Sequence, residues 1–183
     1  RREMETLVAS LAAFDGLDDL ALTTNGYLLP QNAEALRKAG LRRITVSLDT
    51  LDNDVFGRMN GRGWDVEQVL AGIRAAEDAG FHPIKINAVV QKGVNDHTIV
   101  DLARFFHGTG HVVRFIEFMD VGNRNRWEMA QVVPAHEIVQ RIDSVLPLEP
   151  LPPNYPGEVA TRYRYLDGRG EIVAEGRMPV ERK

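Results

Sequence analysis

Residues 42–49 read RRITVSLD, and the alternation of their side chains decides the fold predicted for the chain. Successive side chains of a β-strand point to opposite faces of a sheet. One face of this strand is therefore apolar and the other is polar, with Thr45, Ser47 and Asp49 on the polar side. A strand covered by helices on both faces usually reads as a continuous apolar run. The alternation predicts that one side of the sheet faces something polar.

Three further predicted strands, at residues 19–24, 82–91 and 111–119, repeat this pattern. On one face of each strand, Thr23 lies with Asn25, Lys85 with Asn87, and Glu117 with Met119 and, lower down, Phe115. Burying such groups without partners costs roughly 1–3 kcal/mol each, and more for the charged ones. Four strands with the same pattern therefore predict a shared cavity that holds a polar ligand.

Helical patterns separate these strands, at residues 2–14, 31–39, 66–79 and from Asn95 or Asp96 to Phe106. Gly40 and Gly80 are the predicted ends of the second and third of these helices, Asp65 is the predicted cap of the third, and residues 49–63 are predicted as a loop. Strand and helix in alternation are typical of a parallel sheet. We predict an α/β fold, a partial (β/α) TIM-like barrel whose site lies in the lumen and at the carboxyl ends of the strands. The alternative is an open doubly wound sheet, but no strand is followed by a G-x-G-x-x-G or Walker A motif.

The texture of the sequence changes after residue 119. A polar loop at 120–131 precedes a helix from Pro134 to Ile142, a proline-rich stretch at 146–157, and a hairpin across DGRG at 167–170. We predict a partial barrel over residues 1–122. Residues 123–183 form a C-terminal extension, made of a loop, a helix, a proline-rich linker and the hairpin.

Composition narrows the class of protein. The net charge is −4, which argues against binding nucleic acid through bulk charge. No apolar run approaches the roughly 20 residues that cross a bilayer, and we predict a cytoplasmic location. The sequence has no cysteine, which excludes disulfides and thiolate-held metals. Its 5 histidines form no H-E-x-x-H motif, so no histidine metal site is predicted.

Four motifs make the prediction specific: LTTNGYLL, ITVSLDTLD, IKINAVVQKGVND and RFIEFMDVGN. In order and spacing they resemble the GTP 3′,8-cyclases of molybdenum cofactor biosynthesis, which are radical S-adenosylmethionine (SAM) lyases. The resemblance covers about residues 1–172, an extent typical of a domain. It implies an enzyme that uses SAM and radical chemistry to convert GTP to 3′,8-cyclo-7,8-dihydro-GTP.

The resemblance also implies roles for individual residues. Thr23 and Lys85 match positions that contact GTP, and Ser47 and Met119 match positions that contact SAM. The other polar residues of the predicted lumen are expected to support the walls of the lumen: Asn25, Asp49, Asn87 and Glu117. GTP and SAM are the implied small-molecule partners, with no nucleic acid and no membrane, and a homodimer is allowed for the parent enzyme.

The chain departs from the family in its redox centres. The family holds two [4Fe-4S] clusters on cysteines, and this sequence has none. We therefore expect this chain to be the central portion of such an enzyme. We expect it to be unable to bind the clusters, to have no catalytic residue of its own and to be inactive alone.

The residues alone leave other interpretations open. Lys85 and Glu117 could form an internal ion pair that only satisfies the lumen. A degenerate module could bind nucleotide or SAM without chemistry. A generic β/α-barrel lyase or isomerase could use Lys85 as a base or as a Schiff-base amine.

Overall fold

One seven-stranded sheet contains every strand of the described residues. The structure is a computed structural model and describes residues 3–61, 63–119, 131–153 and 158–176. The strands are β1 (Ala21–Thr24), β2 (Arg43–Ser47), β3 (Lys85–Val90), β4 (Val112–Glu117), β5 (Leu148–Pro150), β6 (Ala160–Tyr165) and β7 (Glu171–Glu175). Their spatial order is β1-β2-β3-β4-β7-β6-β5. Neighbours from β1 to β7 pair in parallel, whereas β6 is antiparallel to both β7 and β5.

Helices precede and connect the strands. They are α1 (Met4–Ala12), α2 (Leu29–Lys38), α3 (Asn53–Asn60), α4 (Val66–Asp78), α5 (Ile99–Phe106) and α6 (Ala135–Asp143), with a 3₁₀ turn at Asp96–Thr98. Strands β1 to β4 follow one another without reversal, so right-handed crossovers place their helices on one face of the sheet. This order is that of the predicted barrel. Within the described ranges, no helix is long and apolar enough to span a bilayer.

The core lies between the helices and one face of the sheet. Ile44, Val46 and Leu48 of the opening stretch are at most 1% exposed, as are Ile84, just before β3, and Ile86 within it. Each fully buried side chain of this kind contributes about 1.5–3 kcal/mol. The apolar half of the alternation is therefore the half that holds the sheet to its helices.

Helices α2 and α4 end in the same way, each at an Ala-Gly pair. Gly40 and Gly80 have φ angles of 103° and 86°, a region that glycine enters without strain. The next amides then donate to the last turn, Leu41 N–H to the Leu36 carbonyl at 3.1 Å and Phe81 N–H to the Ala76 carbonyl at 3.0 Å. These caps turn the chain back into the next strand, as predicted from the sequence.

The start of α4 is fixed by a capping box. Asp65 accepts from Gln68 N–H at 2.9 Å, and the Gln68 side chain accepts from Asp65 N–H at 3.2 Å. Two of the helix's free amides are thereby satisfied. The predicted cap at Asp65 is confirmed.

Helix α4 packs closely against the turn that follows β1. A Cβ atom on Gly72 would lie 2.1 Å from the Gly26 carbonyl oxygen. Only a residue without a side chain allows this approach, so Gly72 sets the distance between α4 and the end of β1.

Two elements differ from the sequence prediction. Residues 49–63 were predicted as loop, but Asn53–Asn60 form α3, whose N-terminus is capped by Asp52 accepting from Val55 N–H at 2.9 Å. The proline-rich stretch contributes the three-residue edge strand β5. The predicted hairpin is confirmed as β6 and β7, and β7 also joins the main sheet by pairing with β4. The proposed boundary between residues 122 and 123 lies outside the described residues.

Candidate functional site

The face of the sheet opposite the helices is polar, and we call it the lumen face. Strand pairing places its residues in lateral rows. Thr23, Thr45 and Lys85 are register partners on β1, β2 and β3. Ser47 and Asn87 form the start of the next row. The predicted convergence of polar side chains from the first three strands is therefore present in the register.

The prediction for the fourth strand is wrong in its face. Arg114 is the register partner of Asn87, whereas Glu117 pairs with the buried Val90. Arg114 therefore lies on the lumen face, and Glu117 lies on the helix side. Glu117 is 8% exposed, and its Oε1 accepts from Ala135 N–H at 2.7 Å, at the first residue of α6. The proposed pairing of Lys85 with Glu117 in the lumen is excluded by this geometry.

A cavity of about 520 Å³ opens on the lumen face. Lys85 and Arg114 line it from β3 and β4, and Arg162 lines it from β6. In all, four cationic and three carboxylate side chains line the cavity: Arg43, Lys85, Arg114, Arg162, Glu158, Glu171 and Glu175. Its formal charge is therefore +1, although the whole chain is acidic.

Most of these charges are paired. Arg114 pairs with Glu175, and Arg162 Nη2 lies 2.7 Å from Glu171 Oε2. In the described part of the chain Lys85 has no ion pair, and it is exposed to the cavity. It is thus the ammonium group best placed to meet an incoming anion.

The other three predicted contact residues do not line this cavity. Thr23 lines a separate cavity of about 230 Å³ at the β1 edge, with the apolar side chains of Met4 and Leu22. Ser47 lies one row further along the strands than Lys85. Met119 lies two residues beyond the end of β4 and is 47% exposed. Their contacts with ligand stay predictions.

Three predicted support residues have defined surroundings. Asp49 accepts from Val89 N–H at 2.8 Å, which continues the ladder beyond the end of β2. Burial raises the pKa of the Asp49 carboxyl above its usual range, and the Val89 amide opposes this rise. Asn25 accepts from Tyr27 N–H in the turn after β1. In the described structure, the Asn87 Oδ1 atom is buried and has no hydrogen-bond partner.

A cluster outside the lumen was missed from the sequence. Ligand atoms of Glu77, His82 and His111 lie within 4.8 Å of one another. His111 Nδ1 accepts from the buried Ile84 N–H at 3.2 Å, and its Nε2 lies 2.9 Å from Glu77 Oε1. Accepting at Nδ1 requires the proton of neutral His111 to be on Nε2, where no lone pair is left for a metal. Through these hydrogen bonds His111 ties α4 to the residues that lead into β3 and β4.

Burial also lowers the pKa of His111, while Glu77 acts in the opposite direction. The neutral form is thus the one that the fold accommodates. No short motif marks this cluster, because its members come from α4 and from the separate segments that precede β3 and β4.

The class of protein follows from comparison with known sequences. The profile of the Radical SAM superfamily matches residues 1–106, which is more than half of the 183 residues. The chain belongs to this superfamily.

Several curated relatives of the chain carry the name GTP 3′,8-cyclase. The protein of that name from Acidothermus cellulolyticus is 57% identical over 172 residues, covering 94% of this chain and 48% of the relative. Those from Xanthomonas axonopodis pv. citri and Staphylococcus haemolyticus are 54% and 45% identical, again over 94% of this chain and over 52% and 50% of the relatives. The chain thus spans about half the length of these curated relatives.

A solved structure supports the fold. A radical SAM methyltransferase from Sphaerobacter thermophilus matches with a TM-score of 0.52 and 19% identity, over 68% of this chain and 36% of that chain. At this identity the likeness shows the fold alone. It confirms the partial β/α barrel of the radical SAM type.

This superfamily uses iron–sulfur clusters and SAM, and only one of these two groups fits the residues of this chain. Iron–sulfur clusters are held by cysteine thiolates, and the sequence contains none, so the clusters do not fit these residues. A polar cofactor such as SAM does fit the lumen face, where the unpartnered Asn87 Oδ1 lies in register beside Ser47. The residues present thus lack thiolate ligands for the clusters and offer polar groups on the lumen face.

Proposed function

We propose that this chain is the lumen-forming central portion of a GTP 3′,8-cyclase of molybdenum cofactor biosynthesis. The single observation that carries the proposal is the identity of 57% to a protein of that name, over half of that protein's length. The whole enzyme would act as a radical SAM lyase on GTP, in the cytoplasm. Without cysteines, this chain alone would bind but not react.

The lumen face supports a binding role. Lys85 would offer its ammonium to an anionic or carbonyl oxygen of GTP, with Thr23 in the same lateral row. Ser47 would donate to and accept from polar groups of SAM, and Met119 would contact SAM at the carboxyl end of β4. Asn87, Asn25 and Asp49 would hold the lumen in shape.

When bound, SAM supplies the radical source in this superfamily. The residues of this chain orient its neighbour, the nucleotide, and limit access of water to the lumen. Lys85 provides a positive charge, and the strand register keeps Ser47 at a fixed distance from Lys85. No proton or electron step is assigned to these residues.

Binding of SAM tests the proposal. Equilibrium dialysis with labelled SAM should show saturable binding that weakens about tenfold in Ser47→Ala, since one hydrogen bond to a charged ligand is lost. Ser10→Ala is the matched control, because Ser10 is exposed on α1 and bonds only within that helix. Equal weakening in both variants, or no saturable binding to the unaltered chain, would refute the SAM role.

Binding of GTP tests the second ligand separately. Lys85→Gln should weaken GTP binding measured by calorimetry, whereas Lys92→Gln, an exposed lysine just past β3, should not. Anaerobic iron and sulfide reconstitution should give no stable iron–sulfur absorbance. Borohydride labelling of Lys85 with a carbonyl substrate would instead favour the Schiff-base alternative.

A further inference from the structure

Asn95 is a buried residue between β3 and the 3₁₀ turn, and it is 1% exposed. Its side chain makes no capping hydrogen bond to that turn. The Nδ2 group instead donates to two backbone carbonyls, that of Asp49 after β2 and that of Val89 in β3, both at 2.8 Å. The Oδ1 atom accepts from Gln91 N–H, also at 2.8 Å. Both donors and the oxygen of this side chain are therefore directed at the carboxyl ends of two neighbouring strands.

These bonds lie where the two strands stop pairing through their backbones. The register of β2 with β3 ends at Ser47 and Asn87, and one more backbone bond follows, at 2.9 Å. Beyond it, side chains make the connections: Asp49 Oδ1 accepts from Val89 N–H at 2.8 Å, and Asn95 bridges the carbonyls of the same two residues. The end of a paired segment opens more easily than its interior. Asn95 therefore closes the strand pair at the end that carries Ser47.

The two predicted ligand contacts lie at different depths of this pair. Ser47 is the last register residue of β2, whereas Lys85 pairs with Thr45 further inside. Opening of the end would displace Ser47 and leave Lys85 in place. We infer, on the basis of the proposed function, that Asn95 is a positioning residue for SAM: it clamps the end of β2 to β3 and so holds the Ser47 hydroxyl where the cofactor meets it.

Two substitutions separate the clamp from the local turn. Asn95→Leu removes all three bonds with little change in shape, whereas Asn95→Asp keeps the acceptor for Gln91 N–H and loses both donors. For either variant, checked for folding by circular dichroism, equilibrium dialysis should show SAM binding weakened about three- to tenfold. GTP binding should change by less than about twofold, because the pairing of Lys85 is kept.

Charge alone predicts the opposite order. The negative charge added in Asn95→Asp favours the sulfonium of SAM and disfavours the anionic GTP, so a selective loss of SAM binding in this variant cannot arise from it. Asn53→Asp is the matched control: it is exposed on α3, gains the same charge and keeps its acceptor for Val66 N–H at 2.8 Å. Its affinity for both ligands should equal that of the unaltered chain.

A double variant tests whether Asn95 acts through Ser47. If the clamp only positions that hydroxyl, Ser47→Ala/Asn95→Leu should bind SAM no more weakly than Ser47→Ala alone. A general loss of stability would leave the two effects additive. Additive effects, or equal weakening of SAM and GTP binding in Asn95→Leu, overturn the inference.

Amide hydrogen exchange measures the clamp without any ligand. In both Asn95 variants, exchange at Leu48 and Val89 should accelerate at least about tenfold relative to exchange at Ile86, inside β3. Unchanged relative rates overturn the inference even where SAM binding weakens. Faster exchange at the strand ends in a chain that does not bind SAM would refute the proposed role of Ser47, while confirming that Asn95 clamps the two strands.

Discussion

Replacing Gly72 by alanine tests the packing that positions the end of β1. Alanine should gain roughly 0.8–1 kcal/mol of helix propensity over glycine. Its Cβ, however, would lie 2.1 Å from the Gly26 carbonyl oxygen, so α4 and the turn must separate by about 1 Å. Overpacking of this kind costs typically 1–3 kcal/mol, and a backbone atom cannot rotate away as a side chain can. With the cost at the upper end of this range, about 3 kcal/mol, against the gain of about 1 kcal/mol, we expect Gly72→Ala to lose about 2 kcal/mol of stability.

Gly57→Ala is the matched control. Gly57 lies inside α3, and a Cβ there meets nothing within 4 Å, so the same substitution should stabilise by about 0.8 kcal/mol. Urea unfolding should then separate the two variants by about 3 kcal/mol, with unchanged m-values. In thermal unfolding, 1 kcal/mol corresponds to about 2–4 °C for a domain of this size. A Gly72→Ala variant as stable as Gly57→Ala would refute the close approach of α4 to Gly26.

Two further predictions concern buried polar groups. Glu117→Gln keeps an acceptor at the start of α6 but loses the negative charge that favours a helix N-terminus, so the stability should fall by about 1 kcal/mol. The control is Glu34→Gln, in an exposed ion pair, which should change the stability by less than about 0.5 kcal/mol. Unchanged stability of Glu117→Gln in urea would contradict the helix-side position. Because burial lowers the pKa of His111 from its ordinary value of 6.5, the unfolded chain binds more protons near that pH, and stability should fall as pH falls through 6.5. His111→Asn keeps an acceptor for Ile84 N–H and should flatten this dependence; identical pH profiles from pH 8 to 5 would contradict it.

The alternation in residues 42–49 was sufficient to predict both faces of β2. The apolar side chains take the buried face and the polar ones the other, and this depends only on the residues of the strand itself. The glycine caps and the Asp65 cap were equally predictable from the sequence, since their hydrogen bonds join residues only a few positions apart. Local chemistry thus accounts for the elements from α1 to β4, apart from α3.

The fourth strand shows why the face of Glu117 was misassigned. Residues 111–119 read HVVRFIEFM, in which Arg114 and Glu117 are three positions apart and so lie on opposite faces, and the sequence prediction placed Glu117 in the lumen where Arg114 belongs. Glu117 is buried because α6, 18 residues later, brings the Ala135 amide to it. A hydrogen-bond partner that tertiary packing brings from another element cannot be predicted from the residues of the strand itself.

The cavity and the histidine tie were missed for a related reason. Arg114 meets Glu175 only because β7 pairs with β4 in parallel, a contact between segments about 60 residues apart that no local pattern encodes. Helix α3 was missed although Asp52 is a good cap, because its Gly57 and Asn60 suggest a turn.

The spatial order β4-β7-β6-β5 also constrains how the molecule is completed. As the ribosome releases the chain, β5 and β6 emerge before β7, yet neither has a direct partner on β4. Both strands depend on β7 to anchor them, so attachment of β6 and β5 awaits synthesis of Glu171–Glu175. Proteolytic loss of those five residues would leave β5 and β6 without a strand that joins them to β4.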